Sequence, residues 1–291
     1  MKSFAAFLTA AALLWILCAV SPVEAGRYGS VQSPARPFGL DVVDGVQLRD
    51  SDALGRDFSS NDYAWMTQVL SQPGGLSQTY SSASATTVLL DPGRLNILTD
   101  YNVRAYFVGE DAGYHNTLGF NPNGAGVSAG AMLVFPDMST DTGRRDASAP
   151  LKPRDFVDLG LITGGSILDF FLIANGANGG TDVFTLDAGA NPDGLRHVAI
   201  HARIDADSPY LLLGFEDLVG GGDMDMNDAV IALDIGVANV KNLLNTVGAP
   251  EPGSTLAFGA FLGISGLANA RRRRKRARHG AGAGADDTDT T

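Results

Sequence analysis

The residues best suited to chemistry lie in one glycine-rich, acidic stretch that ends where an apolar run begins at residue 229. Three glycines at positions 220–222 let the backbone turn tightly and approach a bound group. Behind them Asp223, Asp225 and Asn227 alternate, so an extended chain would present their oxygens on one side. Calcium takes six to eight hard oxygen ligands at flexible geometry, whereas magnesium demands a strict octahedron. The stretch therefore predicts a calcium site with the ligands Glu216, Asp217, Asp223, Asp225, Asn227 and Asp228.

The same stretch has two other interpretations. Its Asp-x-Asp-x-Asn opening also begins EF-hand loops, but Asp228 stands where those loops require glycine, and a strand follows. An EF-hand is therefore excluded. A glycine-rich loop whose acids form Asx turns and bind no ion remains the alternative. We favour the ion, because like charges gathered in a partly buried loop are costly without a cation.

No catalytic motif emerges from the sequence. His197 and His201 lie four residues apart, but on a strand that spacing separates them by about 13 Å, too far for one metal ion. We therefore expect two surface or edge histidines. The chain has no nucleophile elbow, phosphate loop or dinucleotide fingerprint. We expect no enzyme, although paired carboxylates for glycoside cleavage stay an alternative in so acidic a chain.

Short apolar runs, separated by glycine, asparagine, aspartate and proline, must hold this stretch in place. They are rich in Val, Ile, Phe and Tyr, which is typical of antiparallel strands, and no long amphipathic helix accompanies them. Many short strands bury their apolar faces only when two sheets pair or close. We therefore predict an all-β fold, an antiparallel, jelly-roll-like β-sandwich, with a barrel as the alternative. The predicted strands cover residues 103–108, 131–135, 156–162, 167–174, 182–186, 197–204, 210–215 and 229–235.

The chain divides into one predicted domain with a preface. The sandwich domain covers residues 77–240, and residues 26–76 form a mixed preface that packs on it. Within the preface, the only helix-like segment is residues 63–70. Residues 77–87 are rich in Ser, Thr and Ala and fit either a linker or an edge strand.

The overall charge limits the partners. The chain has 32 Asp and Glu against 21 Lys and Arg, a net charge of −11, and seven of the basic residues lie in a C-terminal block. The body ahead of that block is therefore more acidic still. Such a surface repels nucleic acid and anionic membranes, and it favours divalent cations or basic partners. We expect no nucleic-acid partner.

The first 25 residues predict a signal peptide. Lys2 precedes an apolar stretch at residues 4–20, and a small-residue cleavage site ends at Ala25. We expect cleavage before Gly26 and export of the chain. The single cysteine, Cys18, lies inside this segment, so the mature chain would have neither disulfides nor thiolate metal sites.

Three features follow one another near the C-terminus: Pro-Glu-Pro at residues 250–252, an apolar run at residues 256–267 and a basic block at residues 271–278. The run is a marginal membrane span whose basic end would stay on the cytoplasmic face. In this order the features, within residues 249–279, resemble a PEP-CTERM sorting signal. The resemblance implies cleavage by an exosortase-type enzyme after a transient stay in the inner membrane, with an ordinary tail anchor as the alternative. Residues 280–291 depart from that pattern and are expected to be a disordered tail.

At its acidic stretch the chain also resembles a bacterial family, the domain of unknown function 4114. The hallmark is Gly-Phe-Glu-Asp at residues 214–217, then Gly-Gly-Gly-Asp-x-Asp-x-Asn-Asp at residues 220–228 and a closing strand. The similarity spans about residues 165–236. It implies an extracellular module, implies no catalytic activity, and carries the acidic hallmark over to the six predicted ligands. Further segments in the family's style lie at residues 113–120, 170–176 and 191–197.

The sequence thus predicts an exported, non-catalytic protein of the cell surface or extracellular matrix. Its β-domain would bind calcium as the one cofactor, and an exosortase-type system would sort the chain. Exopolysaccharide or other surface glycans are candidate partners. The alternative function is a calcium-dependent carbohydrate-binding or adhesion module, and a polysaccharide hydrolase is a more distant alternative.

Overall fold

The computed structural model describes residues 31–72, 74–77 and 86–247. The predicted signal peptide (residues 1–25), the predicted sorting signal (residues 249–279) and the tail behind it lie outside the described residues. Within the described ranges, none of the helices has the length and apolarity needed to cross a bilayer.

Two antiparallel sheets dominate the described chain. Their strands are β1 (Thr87–Leu90), β2 (Tyr101–Gly109), β3 (Thr117–Asn121), β4 (Met132–Phe135), β5 (Phe156–Ile162), β6 (Asp169–Ile173), β7 (Val183–Thr185), β8 (Val198–Arg203), β9 (Tyr210–Phe215) and β10 (Ala229–Asp234). The first sheet has six strands in the order β1-β8-β9-β10-β2-β5, and the second has four in the order β4-β3-β6-β7. The predicted fold of paired antiparallel sheets is confirmed at this level, while its jelly-roll-like detail stays a prediction.

The main core lies between the two sheets. On β10, Ile231 and Leu233 face this core, whereas Val230 faces the other side of the six-stranded sheet. Across the core, Phe107 of the first sheet meets Phe135 of the second edge to face, with ring centroids 6.2 Å apart. All six residues of β10 are buried because both faces of its sheet are covered. This double burial explains why residues 229–233 of β10 form a continuous apolar run in the sequence.

A helical segment covers the outer face of the six-stranded sheet. It consists of α1 (Ala53–Asp57), a π-type turn (Phe58–Asp62), α2 (Tyr63–Leu70) and a 3-10 turn (Gly75–Ser77). Asp52 caps α1 by accepting a hydrogen bond from the backbone of Gly55 at 2.7 Å. Phe58 is fully buried and stacks on Tyr106 of β2, with ring centroids 3.9 Å apart. The prediction of a helix at residues 63–70 is therefore confirmed. The helical segment as a whole packs on the sheet and forms a second apolar cluster with it.

Two strands went unassigned in the sequence for local reasons. β1 begins at Thr87, the last residue of the stretch 77–87 that is rich in Ser and Thr. It lies at the edge of its sheet. β3 is five residues long and contains Gly119, which interrupts the apolar pattern. A Cβ at Gly119 would lie 2.1 Å from Cζ of Phe171, so glycine is needed for that ring to cross the strand.

Two helices also went unassigned, α1 in the preface and α3 (Val237–Val247), which follows β10 directly. Its Asn239 is buried, and Oδ1 of this residue accepts hydrogen bonds from the backbone of Leu98 and Thr99, both at 3.0 Å. Val240 and Leu243 pack into the main core. The helix therefore depends on contacts far away in the sequence, which a local pattern does not show.

Candidate metal centre

The predicted ligand residues lie in one loop, residues 216–228, which we call the acidic loop. It connects the neighbouring strands β9 and β10, and the paired residues Phe215 and Ala229 close it. Glu216 and Asp217 leave β9 as buried side chains, 1% and 5% exposed. Further along, Asp223 is exposed to solvent. The base of the loop is thus fixed by the sheet, and its tip lies at the surface.

Three carboxylates of the acidic loop converge. Glu216, Asp223 and Asp225 each offer an oxygen that lies within 4.8 Å of the other two. Calcium–oxygen distances of 2.3–2.6 Å place ligands on opposite sides of one ion about 5 Å apart. The three oxygens are therefore close enough to share a single calcium ion. Their burial decreases from Glu216 through Asp225 to Asp223, so the cluster leads from the protein interior to solvent.

The carboxylate of Glu216 is only partly satisfied by the protein. Its Oε2 is buried, and the described residues provide no hydrogen-bond partner for it. A buried acceptor without a donor costs about 1–3 kcal/mol. Burial raises the pKa of Glu216 to about 8, and the nearby carboxylates of Asp228 and Asp223 contribute to the rise. A cation among these groups would satisfy the oxygen and offset the repulsion.

Gly222 makes room for this carboxylate. Its φ is +48°, and a Cβ built on it would lie 1.8 Å from Oε1 of Glu216. The backbone of the triple glycine therefore passes directly against the buried acid. Only glycine fits there, both because of the left-handed φ and because of the space.

The chain behind the glycines is not extended, in contrast to the expectation from the alternating acids. Met224 and Met226 adopt left-handed backbone conformations, with φ of +61° and +58°. The turns they make bring Asp223 and Asp225 to Glu216. Asn227 bonds within the loop, because its Nδ2 donates to Oδ2 of Asp225 at 2.5 Å.

Asp217 and Asp228 brace the base of the acidic loop. The backbone of Asp217 donates to Oδ2 of Asp228 at 2.9 Å. Oδ2 of Asp217 in turn accepts from Nδ2 of Asn116, which is itself buried, at 2.7 Å. Burial raises the pKa of Asp228 to about 6 and also raises that of Asp217. Of the six predicted ligands, three therefore meet at one point, and Asp217, Asn227 and Asp228 make bonds that shape the loop around them.

The prediction of surface or edge histidines is wrong, because His197 and His201 are both fully buried. His197 connects two segments: its Nδ1 lies 3.1 Å from the carbonyl oxygen of Glu216, and its Nε2 lies 3.0 Å from Oδ2 of Asp193. The same Asp193 oxygen accepts from the backbone of Gly220 at 2.6 Å. Asp193 and His197 thus hold the glycine turn and the buried acid in place.

His201 lies against the helical segment. Its Nε2 is 2.7 Å from the carbonyl oxygen of Leu76. The backbone of Leu76 donates to the carbonyl oxygen of Asp225 at 2.8 Å. A Cβ on Gly75 would lie 2.3 Å from that same oxygen. The turn at residues 75–77 therefore touches the acidic loop and supports one of its three converging residues.

Sequence reasoning missed Asn116, Asp193 and His197 as parts of this site. Asn116 also accepts from the backbone of Asn175 through its Oδ1 at 2.9 Å, which ties a further segment to the loop. These three residues lie in the segments 113–120 and 191–197, which resemble the domain of unknown function 4114 in sequence. Nothing in their spacing showed that they converge on the acidic loop, because contacts between residues 19 to 101 positions apart leave no local pattern.

Fold and site together define a β-domain of two antiparallel sheets with an acidic loop between adjacent strands. The family model of the domain of unknown function 4114 matches residues 162–236. The match begins at the last residue of β5 and includes β6 to β10 and the whole acidic loop. The resemblance seen in the sequence is confirmed over these residues. Comparison with curated proteins and with solved structures found no match.

We expect Gly222→Ala to weaken cation binding by about tenfold or more, because its Cβ would displace a ligand carboxylate that must be held within about 0.5 Å. The measurement is calcium affinity by titration calorimetry. Gly220→Ala is the matched control. Its φ of +92° also strains the backbone of an alanine, but a Cβ there would meet nothing within 4 Å. Equal losses of affinity in the two variants would contradict the role assigned to Gly222.

A pH dependence follows from Glu216. Its folded-state pKa of about 8 lies above the usual 4.5, so the folded protein keeps a proton that the unfolded chain has lost between these values. The cation-free protein should therefore lose stability as pH rises from about 5 to about 8. The melting temperature in chelator, measured across this range, checks the sign.

Glu216→Gln removes the contribution of this carboxylate, because glutamine stays neutral at every pH. Asp217 and Asp228, whose pKa values are also raised, lower the stability in the same direction in both proteins. The lowered pKa of buried His201 acts in the opposite direction around pH 6.5, but equally in both proteins. The fall in melting temperature should therefore be shallower in the variant. A wild-type profile that parallels that of Glu216→Gln would show that Glu216 does not titrate in this window.

Proposed function

We propose that the protein is an exported, non-catalytic protein whose β-domain binds one calcium ion in the acidic loop. The observation that carries this proposal is the buried Oε2 of Glu216, which has no hydrogen-bond partner among the described residues and lies where two more carboxylates converge. A carboxylate so placed needs either a proton or a cation. In this proposal calcium takes the place of the proton that the cation-free acid would otherwise keep at neutral pH.

The chemistry of the donors favours calcium over other metals. The converging donors are carboxylate oxygens alone, which suit hard cations rather than zinc or copper. The loop is irregular and rich in glycine, so it can adapt to a large ion with a variable shell. Backbone carbonyls and water would complete that shell. Magnesium requires a more rigid octahedral arrangement of ligands, which such a loop is less suited to provide.

The role that we propose for the ion is structural. The acidic loop is held from three sides, by Asp193, Asn116 and the turn at residues 75–77. Its interior nevertheless gathers carboxylates that repel one another. An ion that binds only the folded form relieves this repulsion and adds about 2.7 kcal/mol of stability at a hundredfold excess over its Kd.

The proposal of export and sorting rests on the two ends of the sequence. The N-terminal features predict cleavage before Gly26, and the Pro-Glu-Pro triplet, apolar run and basic block resemble a sorting signal. In this proposal an exosortase-type enzyme cuts near residues 250–252, so that the anchor is temporary. The domain then acts at the cell surface or in the extracellular matrix.

We expect calcium to raise the melting temperature of the full chain by about 5–10 °C relative to chelator at pH 7.5. The double variant Asp223→Asn/Asp225→Asn should lose this shift, because two of the three converging carboxylates become neutral. Asp207→Asn is the control, since this exposed carboxylate forms an ion pair with Lys241 at the surface, away from the acidic loop in the sequence. Calorimetric scans in each condition provide the measurement. A wild-type curve unmoved by about 10 mM calcium would refute the ion.

A separate measurement addresses the ends of the chain. The intact mass of the protein recovered from its producing cells should correspond to a chain that starts at Gly26 and stops near residues 250–252. Recovery of a chain that still contains Met1 and Thr291 would refute both cleavages. This result would leave the proposed calcium site untouched.

A further inference from the structure

We infer that the calcium ion of the acidic loop, together with an apolar rim beside it, forms a binding site for neutral glycans. This inference rests on the proposed calcium site and names its ligand class. The rim consists of four large apolar side chains that solvent reaches, with exposed fractions of 42% to 55%. They are Leu195, Leu218, Val219 and Met224.

The apolar rim adjoins the carboxylate cluster. A Cβ on Gly221 would lie 3.3 Å from Cγ of Met224 and 3.8 Å from Cδ1 of Leu195, so these two side chains lie over the buried Gly221. The next residue, Gly222, passes against the carboxylate of Glu216. One residue of backbone therefore separates the apolar surface from the ion's ligands. A ligand of the size of one or two sugar rings would reach both.

Met224 occupies its place at a conformational cost. It is a non-glycine residue with φ of +61°, a backbone conformation that is unfavourable for L-residues, and it is nevertheless 52% exposed. Packing within the domain therefore offers little compensation for this conformation. Strained residues of this kind gather at ligand clamps, where the strain presents a side chain to a ligand.

The ion would keep coordination positions free for a ligand. Three carboxylates converge, whereas calcium takes six to eight oxygens. Asp217 and Asp228 are engaged at the base of the acidic loop. Asp223 is exposed, so the outer side of the ion faces solvent. Two neighbouring hydroxyls of a sugar can replace water there, because they supply hard oxygens without charge.

Charge selects neutral glycans over anionic ligands. Residues 214–229 contain five carboxylates and neither Lys nor Arg, so one calcium ion leaves the loop with a net negative charge. The whole chain adds to this repulsion, with a net charge of −11. Anionic lipid headgroups and acidic polysaccharides are therefore disfavoured. A pyranose ring carries its hydroxyls without charge, and its C–H face can pack on the apolar rim.

The test is retention of the full chain on insoluble polysaccharides, with cross-linked dextran, galactan and mannan as neutral probes and polygalacturonate as the anionic probe. We expect retention on at least one neutral probe in calcium and its loss in chelator. Leu218→Ser/Val219→Ser should weaken this retention by about tenfold, which corresponds to about 1.4 kcal/mol. Its calcium-dependent rise in melting temperature should equal that of the wild type.

Leu98→Ser/Leu161→Ser is the matched control, because these leucines are 60% and 62% exposed elsewhere on the protein. It should be retained like the wild type. Retention that is confined to polygalacturonate, persists in chelator or is unchanged in Leu218→Ser/Val219→Ser would overturn the inference. The same holds if no neutral probe retains a protein whose melting temperature still responds to calcium, in which case the proposed calcium site survives. A protein that shows no calcium response loses both.

Discussion

A buried carboxylate that the protein does not satisfy is the constraint around which the site is organised. Glu216 follows β9 directly, so the sheet holds its backbone, and its Oε2 has no partner among the described residues. Gly222 leaves space for this carboxylate, and the carboxylates of Asp223 and Asp225 converge on it. A buried carboxylate oxygen that stays unsatisfied lowers the stability of the domain. The cost of about one or two kcal/mol is a large part of the free energy of folding.

Residues from several distant parts of the domain support the acidic loop. Asp193 and His197 reach it from the segment before β8, and Asn116 reaches it from the start of β3 in the other sheet. The turn at residues 75–77 supports it from the helical segment. These contacts join both sheets and the helical cover at one loop. An ion bound there would therefore stabilise the domain as a whole, because each support is tied to a different part of the core.

Much of the fold could be predicted because strands leave a local pattern. The strands at residues 156–162 and 210–215 have the predicted bounds, and the other predicted strands differ from the structure by a few residues at their ends. The pattern failed where tertiary contacts replace local preference: Gly119 sits in β3 because the ring of Phe171 crosses it, and α3 depends on Asn239 and its distant partners. The histidines were misjudged because strand spacing gave their separation but not what covers them. His197 packs on Phe184, with ring centroids 3.9 Å apart, and His201 lies beneath Leu76.

The sequence by itself determined that the chain would form antiparallel strands and that its acids would gather in a loop before the last of them. Both properties are local, because strand periodicity and turn chemistry act over a few residues. Tertiary structure alone decided which acids meet. Glu216, Asp223 and Asp225 converge, whereas Asp217, Asn227 and Asp228 make bonds within or beneath the loop. That division depends on left-handed turns at Met224 and Met226 and on supports from distant segments, which exist only once the sheets have paired.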